Sequence, residues 1–183
     1  PTPALAAAVG LGLLRDYSRI FVPGCGRGHD ALLLAEAGHD VVAVDFSETP
    51  ITHLRKTALV RNITLESRQA DIFSFESEPK ASFDAVFEYT CYCAIHPEAR
   101  GRYRELVAHL VRPGGLLIFL AFPLGVRPSG PPHGIILEEL RKDFEGTFEW
   151  KLDTNPLQSA PKRVGKERFI LFERHGSDPG ISS

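Results

Sequence analysis

With 183 residues, 43% of them hydrophobic and 24% charged, the chain has the size and make-up of one soluble globular domain able to bury its own core. Its formal charge of −2, with Lys and Arg scattered, excludes the electrostatic footprint of a nucleic-acid binder. The longest apolar run, around residues 116–122, is too short to cross a bilayer, so neither nucleic acid nor membrane is an expected partner. No charged n-region precedes an apolar h-region, so no secretion signal is expected. Cys25, Cys91 and Cys93 cannot all pair and two are one residue apart, which argues against a disulfide framework and for a reducing cytoplasm. The chain has no Met and opens on Pro1, so we expect that the translated product starts further upstream.

In chain order, Pro-Thr-Pro leads into an alanine-rich helix predicted over residues 4–14 and weakened by Gly10 and Gly12. A short apolar strand over 19–22 runs into a loop with Gly24, Gly26 and Gly28. A helix follows over 30–37, with Asp30 as expected N-cap and Gly38 as its stop. A second buried strand, 40–44, ends at Asp45, 21 positions after Gly24. Ser47 is the expected cap of a helix through 59, and a third strand within 63–70 ends at Asp71. After a polar stretch the fourth strand covers 83–89. Pro97 opens a helical stretch through 111 with Tyr103, Leu106, Val107 and Leu110 on one face. Arg-Pro-Gly-Gly at 112–115 signals a turn before the apolar strand 116–122. The Pro- and Gly-rich loop 123–134 is too long for a mere connector. A helix over 136–144 and strands over 147–152 and 168–173 complete the chain, the last two suited to antiparallel pairing.

Strand–helix alternation through five strands argues an α/β fold. We expect a single doubly wound, Rossmann-like sheet, mostly parallel with an antiparallel C-terminal edge pair and helices on both faces. Ligands of such sheets sit outside the carboxyl ends of the strands, which selects Gly24–Gly28, Asp45, Asp71, residues 88–90 and the 123–134 loop. Glycines after the first strand allow close approach of a ligand to the backbone. An acid about 20 residues later, at the tip of the next strand, can accept both hydroxyls of a ribose. The unit reads as a site for an adenosine-type cofactor, the alternative being a tight glycine turn with no ligand. Gly-x-Gly-x-Gly lacks the extra residue of the dinucleotide pyrophosphate loop. S-adenosyl-L-methionine, with no phosphate, needs only a loop that fits its amino acid and ribose.

The segments Val-Pro-Gly-Cys-Gly-Arg-Gly-His-Asp at 22–30, Asp-Phe-Ser-Glu at 45–48, Phe-Glu-Tyr-Thr at 87–90 and Cys-Ala-Ile-x-Pro-Glu-x-Arg at 93–100 resemble the class I methyltransferases. Within them the chain is most similar to the thiopurine S-methyltransferase group with its thiol and halide methyltransferase branch. Leu110-Val111-x-Pro113-Gly114-Gly115, Gly130-Pro131-Pro132 and Gly165-Lys166-Glu167 extend the likeness over residues 1–174, the expected domain, leaving 175–183 as a tail. The resemblance implies S-adenosyl-L-methionine as methyl donor, with Gly24 and Gly26 against its methionine portion and Asp45 on the ribose. It further implies Asp71 and the Ile72 amide at the adenine edge, Tyr89 beside the methionine end, and Glu88, where the family usually has Asp, at the amine. A Trp-rich N-terminal segment covers the cofactor in that family. Here the one Trp is Trp150, so we expect the methionine end to be open to water in the sequence given.

The expected acceptor is a small soft nucleophile, such as a thiol, sulfide, halide or thiopurine-like sulfur, which needs no strong base. A dry, aligned pocket then supplies most of the rate, and aromatic faces tolerate a sulfonium. Tyr89 and Tyr92 are the catalytic candidates, with Phe122 and Pro123 as floor. Oxygen or nitrogen methylation and a non-catalytic cofactor-binding module are the alternatives, and a dehydrogenase ranks last. Cys91-x-Cys93 lacks companion metal ligands, so no metal site is expected. His29, His96 and His133 border the site, with packing or surface roles expected and His133 of most interest. A monomer is expected.

Overall fold

Two apolar runs build the centre of the sheet. Arg19–Pro23 (β1) and Asp40–Asp45 (β2) pair in parallel, Arg19 opposite Asp40 and Pro23 opposite Val44. Beyond their first residues both strands are buried throughout, as befits parallel strands covered on both faces. In the computed structural model, which describes residues 1–14 and 18–176, β3 (Glu66–Gln69) lies outside β2, while β4 (Phe83–Tyr89) and β5 (Val111–Ala121) follow on the other side of β1. The closing strands β6 (Phe148–Thr154) and β7 (Arg168–Arg174) form an antiparallel pair. β7 rather than β6 joins β5, with Leu116 opposite Glu173 and Ala121 opposite Arg168. The order β3-β2-β1-β4-β5-β7-β6 is the expected doubly wound, Rossmann-like sheet with its antiparallel C-terminal pair. Residues 177–183, most of the expected tail, lie outside the described residues.

Helices α1 (Pro3–Gly10), α2 (His29–Glu36) and α3 (Glu48–Val60) cover one face, where Leu5, Leu32 and Leu54 pack with Ile20, Val41 and Phe87. On the other face α4 (Arg100–Leu110) buries Tyr103, Leu106, Val107 and Leu110, the stripe read from the sequence. There α4 and α5 (Leu137–Phe144) pack with Phe21, Val86 and Phe119. No helix among the described residues is long and apolar enough to cross a membrane.

Several boundaries differ from expectation for local reasons. α1 stops at Gly10, and Gly12 turns the chain with φ +68. β3 begins later because the Ile63 N–H donates to Ala58 O, finishing α3. β5 begins earlier: Val111 already pairs with Phe83, with a register irregularity before Ala85. The 112–115 segment belongs to that strand, and a Cβ on Gly115 would lie 2.7 Å from Asp84 O. Asp30 does not cap α2; Gly28 does, in the left-handed region. The Asp30 carboxylate instead accepts the Thr2 N–H at 2.6 Å, tying α1 to α2. Ser47 sits at the cap position of α3 without a side-chain capping bond. The strand order reverses between β1 and β4, and it is there that such sheets open a crevice.

Candidate functional site

Two adjoining cavities lie at the carboxyl ends of β1 to β4 and share Gly24 and Thr90. The larger, about 480 Å³, is lined by Asp45 and Phe46 after β2, by residues 70–73 after β3, and by Cys91, Ala94 and Ile95 after β4. The smaller, about 110 Å³, is lined by Cys25, Gly26 and Asp30 together with Phe87 and Tyr89. Thr90, between the two, has φ +65, an uncommon conformation for a β-branched residue and one that clusters at functional sites.

The glycine loop serves packing as well as access. A Cβ on Gly24 would lie 2.9 Å from the Cys91 Cβ, so a side chain there meets the protein before it meets any ligand. Gly26 differs: φ is +52 and nothing lies within 4 Å of its added Cβ. This is the open backbone that the close-approach argument requires.

Asp45 is only 9% exposed. Its Oδ2 accepts the Gly26 N–H at 2.9 Å and its Oδ1 the Ser47 N–H at 2.9 Å. A carboxylate has about four lone-pair sites, so each oxygen retains capacity for a second donor. Asp71 caps the 3₁₀ turn Ile72–Ser77, its Oδ1 accepting the Phe73 N–H at 2.9 Å. Ile72 is the first residue of that turn, where helices leave N–H groups without internal acceptors. Phe46, which the sequence reading passed over, stands 79% exposed at the rim. A large aromatic directly after the strand-end acid was the available signal.

The strand after Phe87 splits the remaining candidates between two faces. Glu88 is 1% exposed and turned away from the expected amine position. Its Oε1 accepts the Cys91 and Tyr92 N–H groups at 3.0 and 2.8 Å, and its Oε2 the Tyr103 hydroxyl at 2.5 Å. Burial raises its pKa to about 7, against the lowering effect of these three donors. The expectation that Glu88 meets the ligand is therefore corrected, because the carboxylate is buried, lines neither cavity and takes three donors inside the core. Tyr92 is likewise corrected as a catalytic candidate. It lines neither cavity, its hydroxyl donates to Asp143 Oδ2 at 3.0 Å, and Arg100 stacks on its ring at 4.4 Å. Desolvation pushes its pKa up. Tyr92→Phe should cost about 1 kcal/mol of stability and leave ligand affinity unchanged by titration calorimetry; a tenfold loss of affinity would restore Tyr92 to the site.

Tyr89 stays at the smaller cavity, in company that sequence reasoning missed. Arg163 reaches it from the β6–β7 connection, its guanidinium hydrogen-bonded to the Tyr89 hydroxyl and 4.3 Å from the centre of the Phe122 ring. Glu167, 2% exposed, lies 3.4 Å from the same hydroxyl. The 123–134 loop is pinned nearby by His133 N–H to Cys93 O at 2.7 Å and Leu124 N–H to Lys166 O at 3.2 Å. His29, His96 and His133 line neither cavity; His96 and His133 meet edge-on at 5.5 Å. Burial pushes the thiols up, Cys25 to about 12 and Cys93 to about 11, with Cys91 also well above its ordinary value. All three are neutral thiols at neutral pH.

Comparison with known proteins identifies the family. The profile of the thiopurine S-methyltransferase family matches residues 12–169. A probable thiol methyltransferase 2 of Arabidopsis thaliana is 36% identical over 143 residues, covering 78% of this chain and 62% of the relative. The thiocyanate methyltransferase 1 of the same plant is 32% identical over 181 residues, covering 94% and 76%. The chain thus spans less than two thirds of the length of the first of these relatives, 62%, and 76% of the second. Among solved structures, a SAM-dependent methyltransferase from Methanosarcina mazei shares the fold with a TM-score of 0.79 at 18% identity, over 92% of this chain and 98% of that one. The chain belongs to the thiopurine S-methyltransferase family.

Proposed function

We propose that this chain binds S-adenosyl-L-methionine across the two cavities and methylates a small soft nucleophile such as a thiol, sulfide, halide or thiopurine-like sulfur. The observation that carries the reading is Asp45, which lines the larger cavity with one acceptor site spare on each oxygen and holds Gly26, the open glycine of the smaller one. A carboxylate so placed suits the two hydroxyls of a ribose. Asp71 and the Ile72 N–H offer an acceptor and a donor to an adenine edge, and the exposed Phe46 ring offers a face to cover it. Gly24, Gly26 and Tyr89 wall the space left for the methionine portion.

When bound, S-adenosyl-L-methionine would supply a sulfonium methyl whose carbon a soft anion attacks in line, the S–CH3 bond breaking with its electron pair left on the neutral thioether. The chain's contribution is alignment and exclusion of water. The Tyr89 ring gives an apolar wall, and Arg163, stacked on the Tyr89 and Phe122 rings, gives positive charge suited to an anionic acceptor. The neutral thiols of Cys25, Cys91 and Cys93 do not compete as nucleophiles, since the thiolate is the reactive form. Free thiols suit a reducing cytoplasm, where we place the protein.

Titration calorimetry with S-adenosylmethionine, S-adenosylhomocysteine and NAD tests the cofactor, and methyl transfer to thiol, thiocyanate and iodide panels tests the acceptor. The first two ligands should bind and NAD should not; binding of NAD alone, or methylation confined to oxygen and nitrogen acceptors, overturns the reading. The Asp71 assignment has its own check. An inosine analogue, lacking the exocyclic amine, should bind about tenfold more weakly than the adenosine form, and equal affinities would turn Asp71 out of the adenine contact.

A further inference from the structure

The segment joining β4 to α4 builds both cavities at once. Thr90 lines the two of them, and Cys91 lines the larger. The Cys91 side chain also fills the space beside Gly24, where a Cβ would lie 2.9 Å from the Cys91 Cβ and 3.1 Å from its Sγ. Cys91 therefore packs against the glycine loop, and with Gly24 it lines the same stretch of the larger cavity. The conformation of this segment is not one that Thr90 adopts by preference, since its φ is +65, so something must hold it.

The holding group is Glu88. One carboxylate oxygen accepts two successive N–H groups, Cys91 at 3.0 Å and Tyr92 at 2.8 Å, and the other is held by the Tyr103 hydroxyl of α4 at 2.5 Å. Around it stand Tyr103 from α4 and Cys91, Tyr92 and Cys93 from its own connection. Arg100 stacks on Tyr92, and Asp143 of α5 takes the Tyr92 hydroxyl. Among the described residues no cation hydrogen-bonds the carboxylate, which is held by the dipoles of two N–H groups and one hydroxyl.

We propose that Glu88 is a positioning residue for the ligand cleft, whose ionised carboxylate clamps the Cys91 and Tyr92 N–H groups from behind and so holds the adjoining Thr90 in the shape that both cavities require. This rests on the reading that the cleft takes an adenosyl ligand. Hydrogen bonds to an ionised acceptor are roughly twice as strong as those to a neutral one, so protonation loosens the clamp without removing it. Glu88 sits near pH 7 because burial opposes its charge, which places the loosening within the working range of the protein.

The test uses the full chain, Glu88→Gln and Tyr103→Phe, each checked by thermal unfolding to be folded. The probes are S-adenosylhomocysteine and 5′-methylthioadenosine, which lacks the amino-acid head. Wild-type affinity for both should fall about fivefold between pH 8 and pH 6. Glu88→Gln should bind both about fivefold more weakly at pH 8 and show no such pH profile. Tyr103→Phe removes a donor that favours the charged form, so its loss of affinity should set in at higher pH. If Glu88→Gln binds like wild type with the same pH profile, the clamp is wrong while the function stands. A loss confined to S-adenosylhomocysteine would mean direct contact with the amine, and would also overturn the clamp. Hydrogen exchange without ligand separates the two readings. The Cys91 and Tyr92 amides should lose protection in Glu88→Gln and in acid even if neither probe binds wild type, and unchanged protection overturns the proposal independently.

Discussion

Asp45→Ala is expected to weaken S-adenosylhomocysteine binding by at least about 100-fold and to destabilise the fold by about 2 kcal/mol. The first figure follows from losing two hydrogen bonds to a charged group, each worth about 1.5–3 kcal/mol. The second has a different cause. From the sequence, Asp45 stands at a solvent-facing strand tip and its removal should leave folding alone. At 9% exposure, with the Gly26 and Ser47 N–H groups on its two oxygens, it also fastens the glycine loop to the start of α3. Alanine leaves both donors without their partner. Asp45→Asn separates the two effects, because it keeps one acceptor oxygen and sets its NH₂ against the other donor. Binding should still fall by about tenfold or more while urea unfolding shows a smaller loss than for alanine. Unchanged affinity in the alanine variant would remove the ribose assignment and, with it, the argument for an adenosyl ligand.

Much of this site is legible because its parts are local. Gly24, Gly26 and Asp45 belong to one strand–helix–strand unit, and their spacing alone brings them to one edge. The central strands are legible for the same reason: β4 has the bounds expected from its apolar run, and the α4 stripe repeats at helical spacing. The misassignments come from the third dimension. Glu88 and Tyr89 are consecutive in a strand and face opposite sides of the sheet, which sends Glu88 under α4 and leaves Tyr89 on the other face. Val86 lies in the cluster under α4 while Phe87 and Tyr89 lie in the one under α2, and Glu88 follows Val86. Arg163 is 74 residues from Tyr89 in a connection without periodicity, so no local pattern announces it. Gly24 illustrates a subtler limit. A glycine is required there already by its φ of +58 and by Cys91, before any ligand is considered.

The buried Glu88 carboxylate also makes a prediction about stability, of opposite sense to the usual surface acid. Its pKa is raised from 4.5 in the unfolded chain to about 7 in the fold. Between these values the native state holds a proton that the unfolded state has released, so stability falls as pH rises through this window. The contribution is fully present below about pH 4.5 and lost once pH passes the folded value. Each pH unit of the window is worth about 1.4 kcal/mol, so wild type should lose about 2–3 kcal/mol relative to Glu88→Gln between pH 5 and pH 8. The comparison with glutamine cancels the titration of the histidines and surface acids, which both proteins share. Urea unfolding of the two at several pH values measures the difference directly. A difference that stays constant with pH would mean that Glu88 titrates near its ordinary value. Its three donors would then outweigh burial, and the clamp on Cys91 and Tyr92 would stay charged throughout the neutral range. A difference that moves against wild type as pH rises means that the group shaping the cleft costs the fold stability at the pH where the cleft binds best, which is the trade expected of a functional carboxylate kept out of water.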